Sequence, residues 1–171
     1  MAVASQPLRF ALRFLIAFAV LAGAFEASRG TVFERFVVED AILVPTVASL
    51  NSLTPGERVE LQGRTIMTPS SRLHVTRGCE GVEMFLLLAA AILAFPASLK
   101  RRVQGFLVGA GLAYVLAVVR LALLDFVLRY LPGWWGTLHG LVLPLGPIII
   151  LALFFLHWSS RSDGSELAHA T

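Results

Sequence analysis

The sequence contains a single cysteine, Cys79, among its 171 residues. One cysteine cannot form a disulfide within the chain, so this residue is either an inert apolar side chain or a reactive thiol. Charged residues are also scarce, at 15% of the chain, whereas hydrophobic residues make up 57%. Soluble domains are usually less apolar and more charged, and the long uncharged stretches of this chain are typical of membrane proteins.

Several common functional motifs are missing. The chain has no glycine-rich phosphate loop, no Gly-x-Ser-x-Gly motif and no His-Glu-x-x-His motif. None of its four histidines has metal-ligand spacing with Cys79, so we expect no metal site and no cofactor. The 14 basic residues form no dense patch, which argues against a nucleic-acid partner.

Hydrophobic runs predict about four transmembrane helices. They cover residues 10–25, 81–99, 103–126 and 138–158. A secretory signal peptide is the alternative for the first run, because arginines lie at its start and small residues lie near its end. A retained helix is favoured, since the later spans already anchor the protein in the membrane.

The segment between the first two runs is more polar, with five acidic residues and six arginines. Apolar residues at helical spacing predict a surface helix over 32–44, which Pro45 would kink or end. Three short stretches of alternating apolar residues predict a two- or three-stranded antiparallel element. Those stretches are residues 59–61, 65–67 and 73–75.

The predicted fold is therefore a polytopic α-helical membrane protein with about four transmembrane helices, a surface helix and a small β element. We expect an N-terminal transmembrane helix (1–27), an extracytoplasmic segment (28–78), a three-helix catalytic membrane core (79–158) and a cytoplasmic tail (159–171). The arginines near the first span and the Lys100-Arg101-Arg102 loop place both termini in the cytoplasm by the positive-inside rule.

Up-and-down threading of these spans brings three residues to one membrane face. Cys79 begins the second span, Arg120 lies near the end of the third, and His139 begins the fourth. A charged residue at the centre of a span costs roughly 2.5–3.5 kcal/mol, so Arg120 needs a reason to be there. That reason is either function or a structural role, in which Arg120 extends to the membrane interface or pairs with Glu83 or Asp125, and the sequence leaves both open.

The surroundings of Cys79 suit a reactive thiol. Glycines on both sides, Gly78 and Gly81, permit a tight turn and a close backbone approach. The start of a helix and a nearby guanidinium both favour a thiolate, beside which His139 would serve as general acid or base. The alternatives are a small buried hydrophobic residue for Cys79 and an amphipathic interfacial residue for His139.

Three motifs in this order resemble the exosortase/archaeosortase family, most closely the short bacterial exosortase H subgroup. They are Gly78-Cys79-Glu80-Gly81-Val82-Glu83 with the apolar run 86–96, then Val119-Arg120, then His139, and the resemblance covers residues 57–158. It implies Cys79 as nucleophile, Arg120 as electrostatic stabiliser and His139 as acid/base. Many relatives have Asn in place of Glu80, whose carboxylate opposes thiolate formation unless Arg77 or Arg120 offsets it.

The resemblance implies a cysteine protease-transpeptidase that cleaves a C-terminal sorting signal made of a short motif, a transmembrane helix and a basic tail. The implied partners are such protein substrates, the lipid bilayer and an unknown envelope acceptor. The implied location is the bacterial inner membrane, with the active site at the periplasmic face. The alternatives are a non-enzymatic membrane subunit of a polysaccharide-export or secretion assembly, and a transporter, against which the lack of internal repeats counts.

Overall fold

The computed structural model describes residues 5–167, with side chains described for residues 7–160. The α-helices are α1 (Ser5–Ala27), α2 (Val32–Arg35), α3 (Val44–Leu53), α4 (Val82–Ala94), α5 (Leu99–Tyr130), α6 (Trp135–Thr137) and α7 (Leu143–Leu167). Two π-helical stretches, Phe36–Leu43 and Leu138–Val142, join α2 to α3 and α6 to α7, and a 3-10 turn, Pro132–Trp134, precedes α6. The strands are β1 (Glu60–Gln62), β2 (Thr65–Met67) and β3 (Arg72–His74).

Four continuous helical stretches are long and apolar enough to cross a membrane. They are Pro7–Ala27, Val32–Leu53, Leu99–Tyr130 and Pro132–Ser160. The chain is therefore a polytopic α-helical membrane protein with a small β element, as predicted, although the second of the four stretches is not the predicted second span.

The predicted span at 81–99 is too long. Helix α4 has only 13 residues and ends at Ala94. Pro96 explains this end, because the residue before a proline is driven out of the helical conformation, and Phe95 is extended with φ −75° and ψ 134°. At 1.5 Å per residue α4 rises about 20 Å, which is less than the roughly 30 Å hydrocarbon core of a bilayer.

The helix that begins at Val32 continues through Pro45 to Leu53, so Pro45 does not end it, which was one of the two effects predicted for this proline. Over Phe36–Leu43 the winding is π-helical, and the Val44 N–H donates to the Glu39 carbonyl five residues back. This wider winding accommodates a proline, which has no N–H and clashes with the carbonyl four residues back in an α-helix. The length of this helix would also permit a span, and the placement of 28–78 outside the membrane stays a prediction.

The strands form an antiparallel sheet in the order β1-β2-β3. Leu61 lies opposite Ile66, which in turn lies opposite Leu73, so three apolar side chains share one face of the sheet. That face belongs to a buried cluster that includes Leu121 and Leu124 of α5. The small sheet therefore packs against the C-terminal part of α5. Its last strand, β3, directly precedes in sequence the turn that carries Cys79.

A second buried cluster holds the helical bundle together where α4, α5 and α7 meet, and it includes Leu88 and Leu151. Glycines on α5 allow close packing there. A Cβ on Gly109 would lie 2.6 Å from Leu88 Cδ2 and 2.9 Å from Phe154 Cε1. Small residues at such crossings let membrane helices approach closely.

Helix α7 runs through Pro147 to Leu167, past Ser159, where we predicted the polar tail to begin. A proline is tolerated inside a membrane helix when neighbouring groups provide hydrogen-bond partners for the backbone carbonyl that the proline leaves unpaired. Residues 168–171 of the predicted tail lie outside the described residues.

Candidate active site

Cys79 lies in a tight turn between β3 and α4. Its N–H donates to the Thr76 carbonyl at 3.1 Å, and its Sγ lies 3.6 Å from Thr76 Oγ1. Gly78 and Gly81 have φ values of +82° and +84°, a region that favours glycine. The sequence predicted Cys79 at the start of the helix, whereas it lies in the turn, two residues before the N-cap residue Gly81.

The close approach predicted for these glycines occurs at Gly81. A Cβ at this position would lie 3.0 Å from the Cβ of Ala117, so the turn packs directly against α5. Ala117 and Arg120 are three residues apart and therefore lie on the same face of α5. The contact at Gly81 thus brings the cysteine turn to the part of α5 that carries Arg120.

Arg120 is buried, with only 6% of its surface exposed. The ionisable groups within electrostatic range of its guanidinium are Cys79 and Glu83, and among residues 7–160 neither lies within hydrogen-bond or ion-pair distance of it. Within the described part of the chain Arg120 forms no ion pair, and its Nε is buried without a hydrogen-bond partner. Asp125, one of the two partners considered from the sequence, pairs with Arg129 instead.

His139 lies in the π-helical stretch before α7. Its ring stacks on Trp135, with 4.9 Å between ring centroids and 6° between ring planes. Its Nδ1 is buried and has no hydrogen-bond partner in residues 7–160. Trp135 and Leu138 pack against the same apolar cluster as Cys79. The structure thus brings the cysteine turn to the face of α5 that carries Arg120 and places His139 at the same end of the bundle, with no hydrogen bond among the three residues.

The carboxylate of Glu80 is completely buried. Its Oε1 accepts a hydrogen bond from Arg64 Nη1 at 3.2 Å and lies 3.9 Å from Arg29 Nη1. Among residues 7–160, Glu80 forms no ion pair with Arg77 or Arg120, the two cations considered from the sequence, and Arg77 is 71% exposed and pairs with Glu26. Burial raises the pKa of Glu80, and the neighbouring Glu83 adds to this effect, while Arg64 and Arg29 oppose it.

Sequence reasoning missed the network that holds Glu80. Arg64, in the turn between β1 and β2, also pairs with Glu34, a buried carboxylate that accepts a hydrogen bond from the Gly30 N–H at 2.7 Å. Arg29 lies 3.4 Å from the same Glu34 carboxylate. The network ties the α1–α2 corner and the sheet to the cysteine turn. No local spacing reveals it, since Arg64 is 30 residues from Glu34 and 16 from Glu80.

A second ionic network fixes the sheet to the end of α5. Arg129 pairs with the buried Asp125 one turn earlier and with Glu57 in the turn before β1. The Ser71 hydroxyl, at the start of β3, donates to Asp125 at 3.4 Å. This network uses the acidic residue closest to Arg120 along the helix, and so leaves Arg120 free to face the cysteine turn.

The thiol of Cys79 and the buried guanidinium of Arg120 determine the chemistry that this site can perform. A buried guanidinium stabilises a neighbouring thiolate, and it also stabilises negative charge that develops on a carbonyl oxygen attacked there. No group of three or more His, Cys, Asp or Glu residues within the described residues is arranged to hold a metal ion. The chemistry available at this site is therefore that of a thiol next to a fixed positive charge.

A comparison with protein families agrees with the motifs. The family model described as transmembrane exosortase matches residues 4–156, a range that includes Cys79, Arg120 and His139. The predicted family resemblance is confirmed by this match. No curated protein and no solved structure matches the chain.

Proposed function

The chain belongs to the transmembrane exosortase family, and on that basis we propose that it is a membrane-embedded cysteine peptidase and transpeptidase. The proposed substrates are surface-targeted proteins that end in a short motif, a transmembrane helix and a basic tail. The enzyme cleaves this sorting signal and transfers the protein to an acceptor in the cell envelope. We place it in the bacterial inner membrane, with the active site at the periplasmic face.

The observation that carries this proposal is the position of Arg120. A buried arginine without an ion pair in residues 7–160 is costly, and Arg120 lies on the face of α5 against which the cysteine turn packs at Gly81. An arginine that served only the fold would be expected to pair with a carboxylate, as Arg129 does with Asp125. The alternative of a non-enzymatic subunit with a structural Arg120 is therefore the weaker one.

The proposed reaction begins with attack of the Cys79 thiolate on the carbonyl carbon of the scissile peptide bond. The carbonyl oxygen becomes an oxyanion, which the Arg120 guanidinium stabilises. The intermediate collapses, the C–N bond breaks, and the departing amine takes a proton from the His139 imidazolium. The upstream part of the substrate is then held as a thioester on Cys79.

The second half of the reaction releases the product. A nucleophile of the acceptor gives its proton to the neutral His139 and attacks the thioester carbonyl. The C–S bond breaks, and the electron pair returns to Cys79 as a thiolate, which Arg120 again stabilises. Water in place of the acceptor gives a free carboxylic acid, so the same site performs hydrolysis or transfer depending on the nucleophile that reaches it.

Replacement of the nucleophile tests the proposal. In cells that express a protein with the proposed sorting signal, Cys79→Ala and Cys79→Ser should each cause the uncleaved, membrane-anchored form to accumulate. Immunoblotting of membrane fractions measures both the substrate form and the level of each variant. Ser52→Ala, at an exposed position on α3, is the control and should retain cleavage. Cleavage that continues in both cysteine variants at normal expression contradicts the proposed function.

A further inference from the structure

A groove between α1, α4 and α7 lies at the end of the bundle that carries Arg9 and Arg13. It consists of two adjoining cavities of about 580 and 290 Å³, and both are lined by Phe10 and Phe155. The larger cavity also contacts Arg9 and Arg13. The smaller one is apolar and continues between the helices past Leu88 to Met84.

The wide end of the groove is positively charged. Arg9 and Arg13 are exposed and four residues apart, so they project from the same face of α1. Neither forms an ion pair with another residue in the range 7–160. Two other arginines lie at the same end and are already hydrogen-bonded. Arg101 donates to the Trp158 carbonyl, and Arg102 donates to the Phe95 carbonyl. This end of the groove therefore offers an exposed pair of cations that no described carboxylate neutralises.

The length of the groove matches one leaflet of a bilayer. Its lining on α4 extends from Ala94 to Met84, ten residues, which corresponds to a rise of about 15 Å. Half of a hydrocarbon core of roughly 30 Å has the same length. On α7 the lining extends similarly, from Ser159 to Ile148. An acyl chain that starts at the two arginines would thus reach Met84 at the far end of the groove.

We propose that this groove binds one anionic phospholipid, with its phosphate on Arg9 and Arg13 and one acyl chain along the apolar part past Phe14 and Leu88. The two cations select a negatively charged headgroup, since each arginine near the membrane surface favours an anionic lipid. The apolar walls exclude a polar ligand without a hydrocarbon chain. The same two cations would repel a basic peptide tail, so a substrate helix of the proposed kind is not the occupant of this groove.

The test uses the purified full-length protein in mild detergent and counts bound lipids by native mass spectrometry. Phosphatidylglycerol and phosphatidylcholine with identical acyl chains are the probes, and glycerol phosphate tests the headgroup alone. We expect one phosphatidylglycerol per chain, bound at least tenfold more tightly than phosphatidylcholine, and no binding of glycerol phosphate. The double variant Arg9→Gln/Arg13→Gln should lose the preference for phosphatidylglycerol. Ala152→Trp, which fills the apolar part, should weaken the binding of both lipids.

Matched controls separate this groove from general lipid contact. Arg58→Gln/Arg72→Gln removes two exposed charges elsewhere and should retain the preference. Leu153→Trp, on an exposed part of α7 next to the groove-lining Ala152, should retain binding of both lipids. The proposal is overturned if the Arg9/Arg13 variant keeps the preference, if the Arg58/Arg72 variant loses it equally, or if glycerol phosphate binds alone. It is also overturned if the wild type is a dimer without bound lipid and the Ala152→Trp variant is a monomer, because a second copy of the chain then occupies the groove.

Discussion

Arg64 donates a hydrogen bond to the buried carboxylate of Glu80, the residue that directly follows the proposed nucleophile, over 3.2 Å. This contact explains how the turn accommodates an acidic residue beside a thiol. Arg64 and Arg29 offset the charge of Glu80 from one side, while Arg120 lies on the face of α5 against which the turn packs at Gly81. Glu80 therefore has cationic partners of its own, and its presence is compatible with a reactive Cys79.

The raised pKa of Glu80 predicts how stability depends on pH. The folded protein holds the Glu80 proton more tightly than the unfolded chain, whose pKa is near 4.5. Stability should therefore fall as the pH rises from about 4.5 through the folded pKa, because a buried charge forms there. Glu80→Gln should remove this fall and should be at least as stable as the wild type at pH 8. Thermal unfolding in detergent between pH 4.5 and pH 8 measures the effect.

The control for this prediction is Glu60→Gln, which removes a carboxylate from an exposed position on β1. That variant should keep the pH dependence of the wild type. If the stability of Glu80→Gln changes with pH as much as that of Glu60→Gln, the buried carboxylate of Glu80 does not control stability between pH 4.5 and pH 8.

Loss of Arg64 should be much more harmful than loss of Glu80. Arg64→Met leaves two buried carboxylates, Glu34 and Glu80, with Arg29 as the remaining cation. Breaking a buried pair from one side costs about 3–5 kcal/mol, and the remaining contacts of Arg29 reduce that figure here. The unfolding midpoint should fall clearly, and the double variant Arg64→Met/Glu80→Gln should recover part of the loss.

A double-mutant cycle on Arg64 and Glu80 measures their coupling. Arg58→Met is the matched control, because Arg58 is highly exposed and pairs only with the exposed Glu60 among the described residues. Exposed pairs of this kind contribute little, about 0–1 kcal/mol. Equal effects of the Arg58 and Arg64 substitutions would contradict the role assigned to the network.

Local patterns in the sequence predict the strands, the family motifs and three of the four helical stretches that are long enough to cross a membrane. Alternation of apolar residues identifies the three strands because each strand buries one face of the small sheet. The helix through Pro45 is longer than predicted, since π-helical winding accommodates this proline, and α4 is shorter than predicted, since Pro96 ends it early. The partners of Glu80 are unpredictable from spacing, because the fold, and no short-range pattern, brings Arg64 to the cysteine turn.

Arg120 should control the reactivity of Cys79. Because Cys79 is the only cysteine, alkylation by iodoacetamide reports on this thiol alone. Arg120→Gln removes the cation on the adjoining face of α5, and we expect alkylation at neutral pH to slow several-fold, because a nearby guanidinium favours the reactive form of a thiol. Arg120→Lys keeps the charge and should slow alkylation less.

Arg129→Gln is the control for Arg120, since it removes a buried arginine of the same helix that pairs with Asp125 and Glu57. It should lower stability and leave the alkylation rate of the folded protein nearly unchanged. If Arg120→Gln alkylates at the rate of the wild type, the guanidinium does not act on the thiol, and the proposed role of Arg120 fails.

The two glycines that flank Cys79 should differ in their sensitivity to substitution. Both have positive φ, so alanine at either costs about 1–2 kcal/mol of backbone strain. A Cβ at Gly78 meets no atom within 4 Å, whereas a Cβ at Gly81 would lie 3.0 Å from Ala117. Gly81→Ala should therefore lower the unfolding midpoint more than Gly78→Ala does. It should also change the alkylation rate of Cys79, because the turn must move away from α5 and hence from Arg120.

The variant Gly81→Ala/Ala117→Gly separates the steric contact from backbone strain. Removal of the Ala117 methyl group relieves the contact with α5, and Met84 Cε, which would also lie 3.0 Å away, can move because it ends a flexible side chain. Glycine inside α5 costs up to about 1 kcal/mol by itself. The double variant should regain the alkylation rate of the wild type even where its stability stays low. If Gly78→Ala and Gly81→Ala affect alkylation equally, contact with α5 does not position Cys79. If the double variant stays as slow as Gly81→Ala, backbone strain alone displaces the thiol, and the close packing at Gly81 has no part in placing it beside Arg120.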